Sequence, residues 1–221
     1  MKKGLVEIDW LSISKYSNEE ISYFLFLEGK TMEAICKIRN LDNSIVQKHI
    51  IDGKIKYRFL VHSNDTDELF KSIAKAGKDD KIYFLNSINE DNKNKLIQLI
   101  KTNYVEMHPR EKEVAVWILG ELNEKSCLNI LIKASVHKFI NVRRMAISAM
   151  GKLGDIKAEG ALLRALEDEN PQVISYAIKS LGKIKSEKAI IKIKYIYENT
   201  DKQYIVNAAQ SFLLLMGQIE T

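Results

Sequence analysis

A 31-residue register repeats through the second half of this chain: Ala115, Ala146, Ala177 and Ala208 fall in step, as do Gly120, Gly151 and Gly182. Leu122, Leu153, Ile184 and Leu215 keep the same step, and Val142–Leu153 (VRRMAISAMGKL) lies over Val173–Ile184 (VISYAIKSLGKI) position by position. A fixed period of this size belongs to a stacked solenoid, in which each unit buries its apolar face only against its neighbours. Such arrays generally act by presenting a long surface to something large, so a binding role is the first expectation and catalysis the exception.

Within a unit the apolar residues fall into two helical stripes. The first carries Val142, Ala146, Ile147, Met150 and Leu153, and the second Ala158, Leu162, Ala165 and Leu166. Spacings of three and four place each set on one helix face. The alanine row is what a close approach of neighbouring helices requires. The glycine row is expected to tighten the turn that ends each first helix, and Pro171 suits the first turn of the next. Stepping back one period from Ala115 lands on Phe84. The predicted array therefore spans 79–221, with a degenerate unit at 79–109, full units at 110–140, 141–171 and 172–202, and a partial one at 203–221. Asn141-Val142-Arg143-Arg144-x-Ala146 and Asp168-x-Asn170-Pro171-x-Val173 resemble HEAT repeats, in the short form also found in phycobilin lyases. The resemblance implies an all-α superhelix over about 110–221; no lyase activity is carried over.

Composition narrows the remainder. Two prolines and ten glycines in 221 residues leave little room for irregular loops, so the whole chain is expected to be helical. No apolar run approaches the roughly 20 residues needed to span a bilayer. Met1-Lys2-Lys3 leads into Glu7 and Asp9, which is no signal-peptide core. Cys36 and Cys127 stand far apart in apolar contexts, so no disulfide framework is expected and a reducing bacterial cytoplasm fits. The four histidines (49, 62, 108 and 137) lack metal-ligand spacing, and no phosphate-binding loop, dinucleotide fingerprint or nucleophile elbow occurs. No metal or cofactor is expected.

Residues 1–58 do not follow the repeat, and 59–78 connect them to the array. Ser17 and Glu20 have capping-box spacing ahead of a helix running to Gly29. Thr31 opens a second helix that Asn40 ends, and Asp42 opens a third, Asn43 to Asp52, expected to bury Ile45, Val46 and Ile50 and to stop at Gly53. Ile35–Ile50 (ICKIRNLDNSIVQKHI) resembles a bacterial helix-turn-helix, with Cys36 where the helices cross, Asn40 at the turn and Val46 buried behind it. Together with Glu28–Ile35 it is similar to the helix-turn-helix at the C-terminus of RecQ-type helicases. The resemblance implies that the third helix enters a major groove. Asn43, Ser44, Gln47 and Lys48 would then face bases, and Lys54, Lys56 and Arg58 would hold phosphates.

Charge is consistent with that reading. Residues 30–58 carry basic side chains at 30, 37, 39, 48, 54, 56 and 58 against Glu33, Asp42 and Asp52, within a chain of net charge +5. The leading expectation is a non-enzymatic adaptor that touches DNA through its N-terminal module and holds a protein partner on the concave surface of the array, with Arg143, Arg144 and Tyr176 on the array surface. A second reading makes the chain a protein-protein scaffold whose N-terminal helices cap the solenoid. A third rests on Trp117 and Glu121, four apart on one helix face, which resemble the aromatic and carboxylate of HEAT-like alkylpurine DNA glycosylases. That likeness implies stacking by Trp117, stabilisation of a sugar cation by Glu121 and phosphate contact by Arg143 and Arg144.

Overall fold

The computed structural model describes residues 1–220. Thirteen α-helices and a few short 3-10 turns make up about three quarters of the described residues. Among the described residues the one sheet is an antiparallel hairpin of β1 (Lys2–Lys3) and β2 (Val6–Glu7). Among the described residues no helix is long and apolar enough to cross a membrane. The chain divides into two compact units, Met1–Leu96 and from Ile97 onward.

In the first unit, α1 (Asn18–Leu27) begins with the expected capping box, Ser17 and Glu20 satisfying each other's backbone N–H. Thr31 caps α2 (Met32–Arg39), its hydroxyl accepting from Ala34 N at 3.2 Å. Asn40 then takes the left-handed conformation (φ 50°, ψ 50°) and turns the chain into α3 (Asn43–Val61). Ile35, Val46 and Ile50 form the core between these helices, with Leu25, Phe26, Met32, Cys36 and Leu41 packed against it. Cys36, expected where the helices cross, thus packs against this core, and Leu41 joins it.

Two expectations for α3 fail. The helix does not stop at Gly53 but runs on to Val61. Gly53 is a contact residue: a Cβ there would lie 2.2 Å from Tyr23 Cγ, so glycine is what lets the Tyr23 ring sit against the α3 backbone. The ring in turn stacks on Tyr57 at 5.6 Å between centroids. Ile45, expected in the core, is 41% exposed. The unit continues through α4 (Thr66–Lys75), capped by Asp65, and α5 (Lys78–Ser87), whose Phe84 meets Phe59 edge-on at 5.0 Å.

Glu20 ties α1 to α3. Its carboxylate accepts from Lys56 Nζ at 2.7 Å, Tyr57 OH at 2.5 Å and Ser17 N at 2.8 Å. Burial pushes this carboxyl up, but the three donors outweigh burial and hold it below the ordinary glutamate value of 4.5. A depressed folded-state pKa means the contribution is complete above 4.5 and is lost as pH falls through the folded value. Glu20→Gln is expected to cost about 2 kcal/mol at neutral pH, the scale of hydrogen bonds to a charged group. It should also flatten the acid limb of stability against pH, checked by urea titrations across the acidic range.

α6 (Glu90–Asn103) leads into the second unit, an all-α solenoid. Its long helices are α7 (Pro109–Glu121), α9 (Ile140–Leu153), α11 (Pro171–Lys183) and α13 (Gln203–Leu215), each packed on the next. The shorter α8 (Leu128–Ala134), α10 (Glu159–Arg164) and α12 (Ile190–Asn199) alternate with them. Ala115, Ala146 and Ala177 are fully buried and Ala208 is 5% exposed, as close helix approach demands.

The glycines play a different part from the expected one. Gly120 and Gly151 lie inside helices, where a Cβ would meet Ala149 Cβ at 2.7 Å and Ser180 Oγ at 2.2 Å respectively. They are the points at which one layer touches the next. The turns are made three residues later by left-handed residues at the same period: Asn123 (φ 52°), Gly154 (φ 61°), Lys185 (φ 52°) and, one residue late, Gly217 (φ 67°). After three of them the next N–H reaches back to close the helix end: Glu124 to Leu119 O, Ser186 to Leu181 O and Gln218 to Leu213 O, at 2.9–3.1 Å.

Candidate nucleic-acid interface

One side of α3 is core and the other is open. At 3.6 residues per turn, Asn43, Ser44, Gln47, Lys48, Ile51, Lys54, Ile55 and Arg58 fall on one face, and all eight are exposed. The opposite side holds Val46, His49, Ile50 and Gly53, all buried. His49 Nδ1 lies 3.1 Å from Ser22 Oγ, so this histidine belongs to the α1–α3 packing.

The first two turns bring together the four expected base-facing residues. Asn43, Ser44, Gln47 and Lys48 make no side-chain hydrogen bond or ion pair among the described residues, which leaves their donors and acceptors available. The three expected phosphate contacts separate. Lys54 lies with its ammonium 5.0 Å from the Phe26 ring centroid, in a residue that stays exposed. Arg58 pairs with Asp80 at 3.1 Å, both side chains more than half exposed. Such a surface pair is worth well under about 1 kcal/mol and yields readily to a phosphate. Lys56 points the other way, half-buried and bound to Glu20, and does not join the face.

Ile55 lies beyond the expected helix end at Gly53, and Ile51, inside it, gains its apolar neighbour on this face only because the helix continues. The signal was present: Gln47, Ile51 and Ile55 are four apart and share a face once the helix is continued.

The array candidates divide likewise. Arg143 is not on the surface. Its side chain is 9% exposed, with Nε 2.7 Å from Asp168 Oδ2 and Nη2 2.9 Å from Oδ1. Nη2 also reaches Glu169 at 3.2 Å, and Nη1 donates to the carbonyls of His137 and Lys138. The Asp168 carboxylate holds the guanidinium above its ordinary pKa. One period away the equivalents of Arg143 are Lys112 and Ile174, and those of Asp168 are His137 and Asn199, so this pair belongs to one repeat alone. Burial lowers His137, helped by the nearby cations of Lys112, Lys138 and Arg143.

Arg144 and Tyr176 do come together, both half-buried. The Arg144 guanidinium carbon lies 6.0 Å from the Tyr176 ring centroid and Nη1 donates to Gln172 Oε1 at 2.9 Å, while Nε is buried without a partner. Lys179 approaches the same ring at 5.9 Å. Trp117 is half-buried, and Glu121 is held in an ion pair by Lys152. Among the described residues no group of three or more His, Cys, Asp or Glu is placed to hold a metal ion.

Residues 18–107 match a helix-turn-helix domain, which covers α1 to α3 and the face just described. The finer likeness to RecQ-type helicases is not shown by that match. No curated protein matches the chain. Residues 94–160 and 136–213 match HEAT repeats, together more than half of the 221 residues and coincident with the stacked helices α7 to α13. The chain belongs to the HEAT-repeat family.

Proposed function

We propose that this protein is a non-enzymatic adaptor that contacts duplex DNA through the exposed face of α3, while the repeat array holds a protein partner. The observation that carries the reading is the set Asn43, Ser44, Gln47 and Lys48: four polar side chains on the second helix of a helix-turn-helix, exposed and without partners among the described residues. Carboxamides can bond adenine edges in pairs, and a lysine can take guanine or phosphate.

For the array, a protein-binding role is supported by the family and by Ile191 and Tyr195, four apart on α12 and 85% and 66% exposed. The non-enzymatic reading draws on the fate of the glycosylase-like set: Glu121 is paired with Lys152, and Arg143 is committed to Asp168.

A solenoid cap would also carry a polar outer face, so binding separates the two readings. Fluorescence anisotropy of the full chain with a labelled random-sequence duplex, titrated across salt, should give affinity falling linearly on a log–log plot. Combining Gln47→Ala with Lys48→Ala should weaken binding about tenfold or more, and Lys48→Ala alone should lower the salt slope by about one. Absence of binding at low salt would leave the N-terminal helices as a cap and the chain as a protein scaffold.

A further inference from the structure

The outward face of α3 displays two apolar side chains, side by side. Ile51 and Ile55 are 49% and 52% exposed, one turn apart in the middle of a stripe that is otherwise polar and basic. The inward side of the helix is already filled, and leaving two isoleucines half in water forfeits on the order of 1 kcal/mol each. The surroundings say what covers them. Lys48 and Lys54 flank the pair on the same face, as does Arg58 with its surface partner Asp80, while acidic Asp52 stands off the stripe, so the face stays net positive. A second copy docking by this face would bring like charges together, whereas a polyanion is complementary to it. In the major groove of duplex DNA the apolar group on offer at base edges is the C5-methyl of thymine.

The register fits that partner. Ile51 follows Gln47 by one turn, a rise of about 6 Å, or roughly two base pairs along the groove. Asn43 and Gln47 carry carboxamides, whose donor and acceptor match the adenine N6 and N7 edge. The polar and the apolar parts of the face therefore favour the same kind of base pair, A·T, at neighbouring steps of the groove. We propose that Ile51 seats against a thymine methyl group and that the α3 face selects A·T pairs, with Ile55 extending the apolar contact toward the backbone. This rests on the DNA-binding reading above and adds its preferred substrate.

The test uses the full chain and two labelled duplexes of A·T pairs, identical except that deoxyuridine replaces every thymidine in one, which removes only the methyl groups. Wild-type protein should bind the thymidine duplex about threefold to tenfold more tightly, the scale of a few buried methyl contacts. Ile51→Ala, a change on an exposed helix face, should keep its melting temperature and salt slope and lose the discrimination. Equal affinity of the wild type for both duplexes would overturn the proposal while leaving DNA binding in place. Undiminished discrimination by Ile51→Ala would remove Ile51 from the role. Failure to bind either duplex, or a random one, would overturn the DNA reading itself and this inference with it.

Discussion

Asp168→Ala is expected to cost about 3–5 kcal/mol, a loss on the scale of truncating a fully buried core side chain. Its carboxylate is 10% exposed and receives two hydrogen bonds from Arg143, itself 9% exposed, as well as the Asn170 N–H at 2.8 Å. Removing the acid strands a guanidinium that cannot be deprotonated and is largely shut off from water, the case in which breaking a buried pair is costly. Glu169 at 3.2 Å offers partial compensation from an 82% exposed side chain, which places the expected loss toward the lower end. Removing both charges together, with Arg143→Met and Asp168→Leu, should cost less than Asp168→Ala alone, because no orphaned charge remains. Urea unfolding of the three variants measures this. A loss under about 1 kcal/mol for Asp168→Ala would mean the pair behaves like an exposed one such as Lys71–Asp67.

Gly151→Ala is expected to destabilise the array by about 2 kcal/mol, against the gain of roughly 1 kcal/mol that alanine normally brings inside a helix. The added methyl would meet Ser180 at Oγ (2.2 Å), Cβ (2.7 Å) and Cα (3.0 Å), so the adjoining helix must move as a backbone. That movement also strains the bond from Ser180 Oγ to Ile147 O, now 3.0 Å. Gly182, the next glycine in the row, is the internal control. Its Cβ would meet only the Phe212 and Leu215 side chains, at 3.5 and 3.7 Å, ordinary contact. Gly182→Ala is therefore expected to be neutral or stabilising by up to about 1 kcal/mol. Thermal melts of the two variants should move in different directions; equal shifts would contradict the close-approach account.

The contrast between those glycines shows what local sequence could convey. The repeat, the alanine row, the Ser17–Glu20 box and the Asn40 turn were legible because each is a short-range pattern with its own physical cause. The meaning of Gly53, Gly120 and Gly151 was not, because it depends on residues about thirty positions away: Tyr23, Ala149 and Ser180. A glycine that ends a helix and one that admits a neighbouring helix look alike in a window of ten residues. The left-handed turn at Lys185 was hidden for the opposite reason, since no glycine marks it. The same limit applied to the site. The exposure of Asn43, Ser44, Gln47 and Lys48 followed from helix periodicity, whereas Lys56 was misplaced because its partner, Glu20, lies on another helix. Arg143 left the surface because Asp168, one repeat edge away, holds it inside.

DNA is proposed to meet this protein on the outward face of α3, and isoleucine-methyl NMR of the full chain would show the contact residue by residue. Ile51 and Ile55 report on that face, while Ile156 and Ile191, 59% and 85% exposed, report on the array. Titrating in a duplex should shift and broaden the methyl signals of Ile51 and Ile55 at low salt, leave Ile156 and Ile191 in place, and reverse as salt is raised. Shifts confined to Ile156 and Ile191, or none anywhere at low salt, would contradict it.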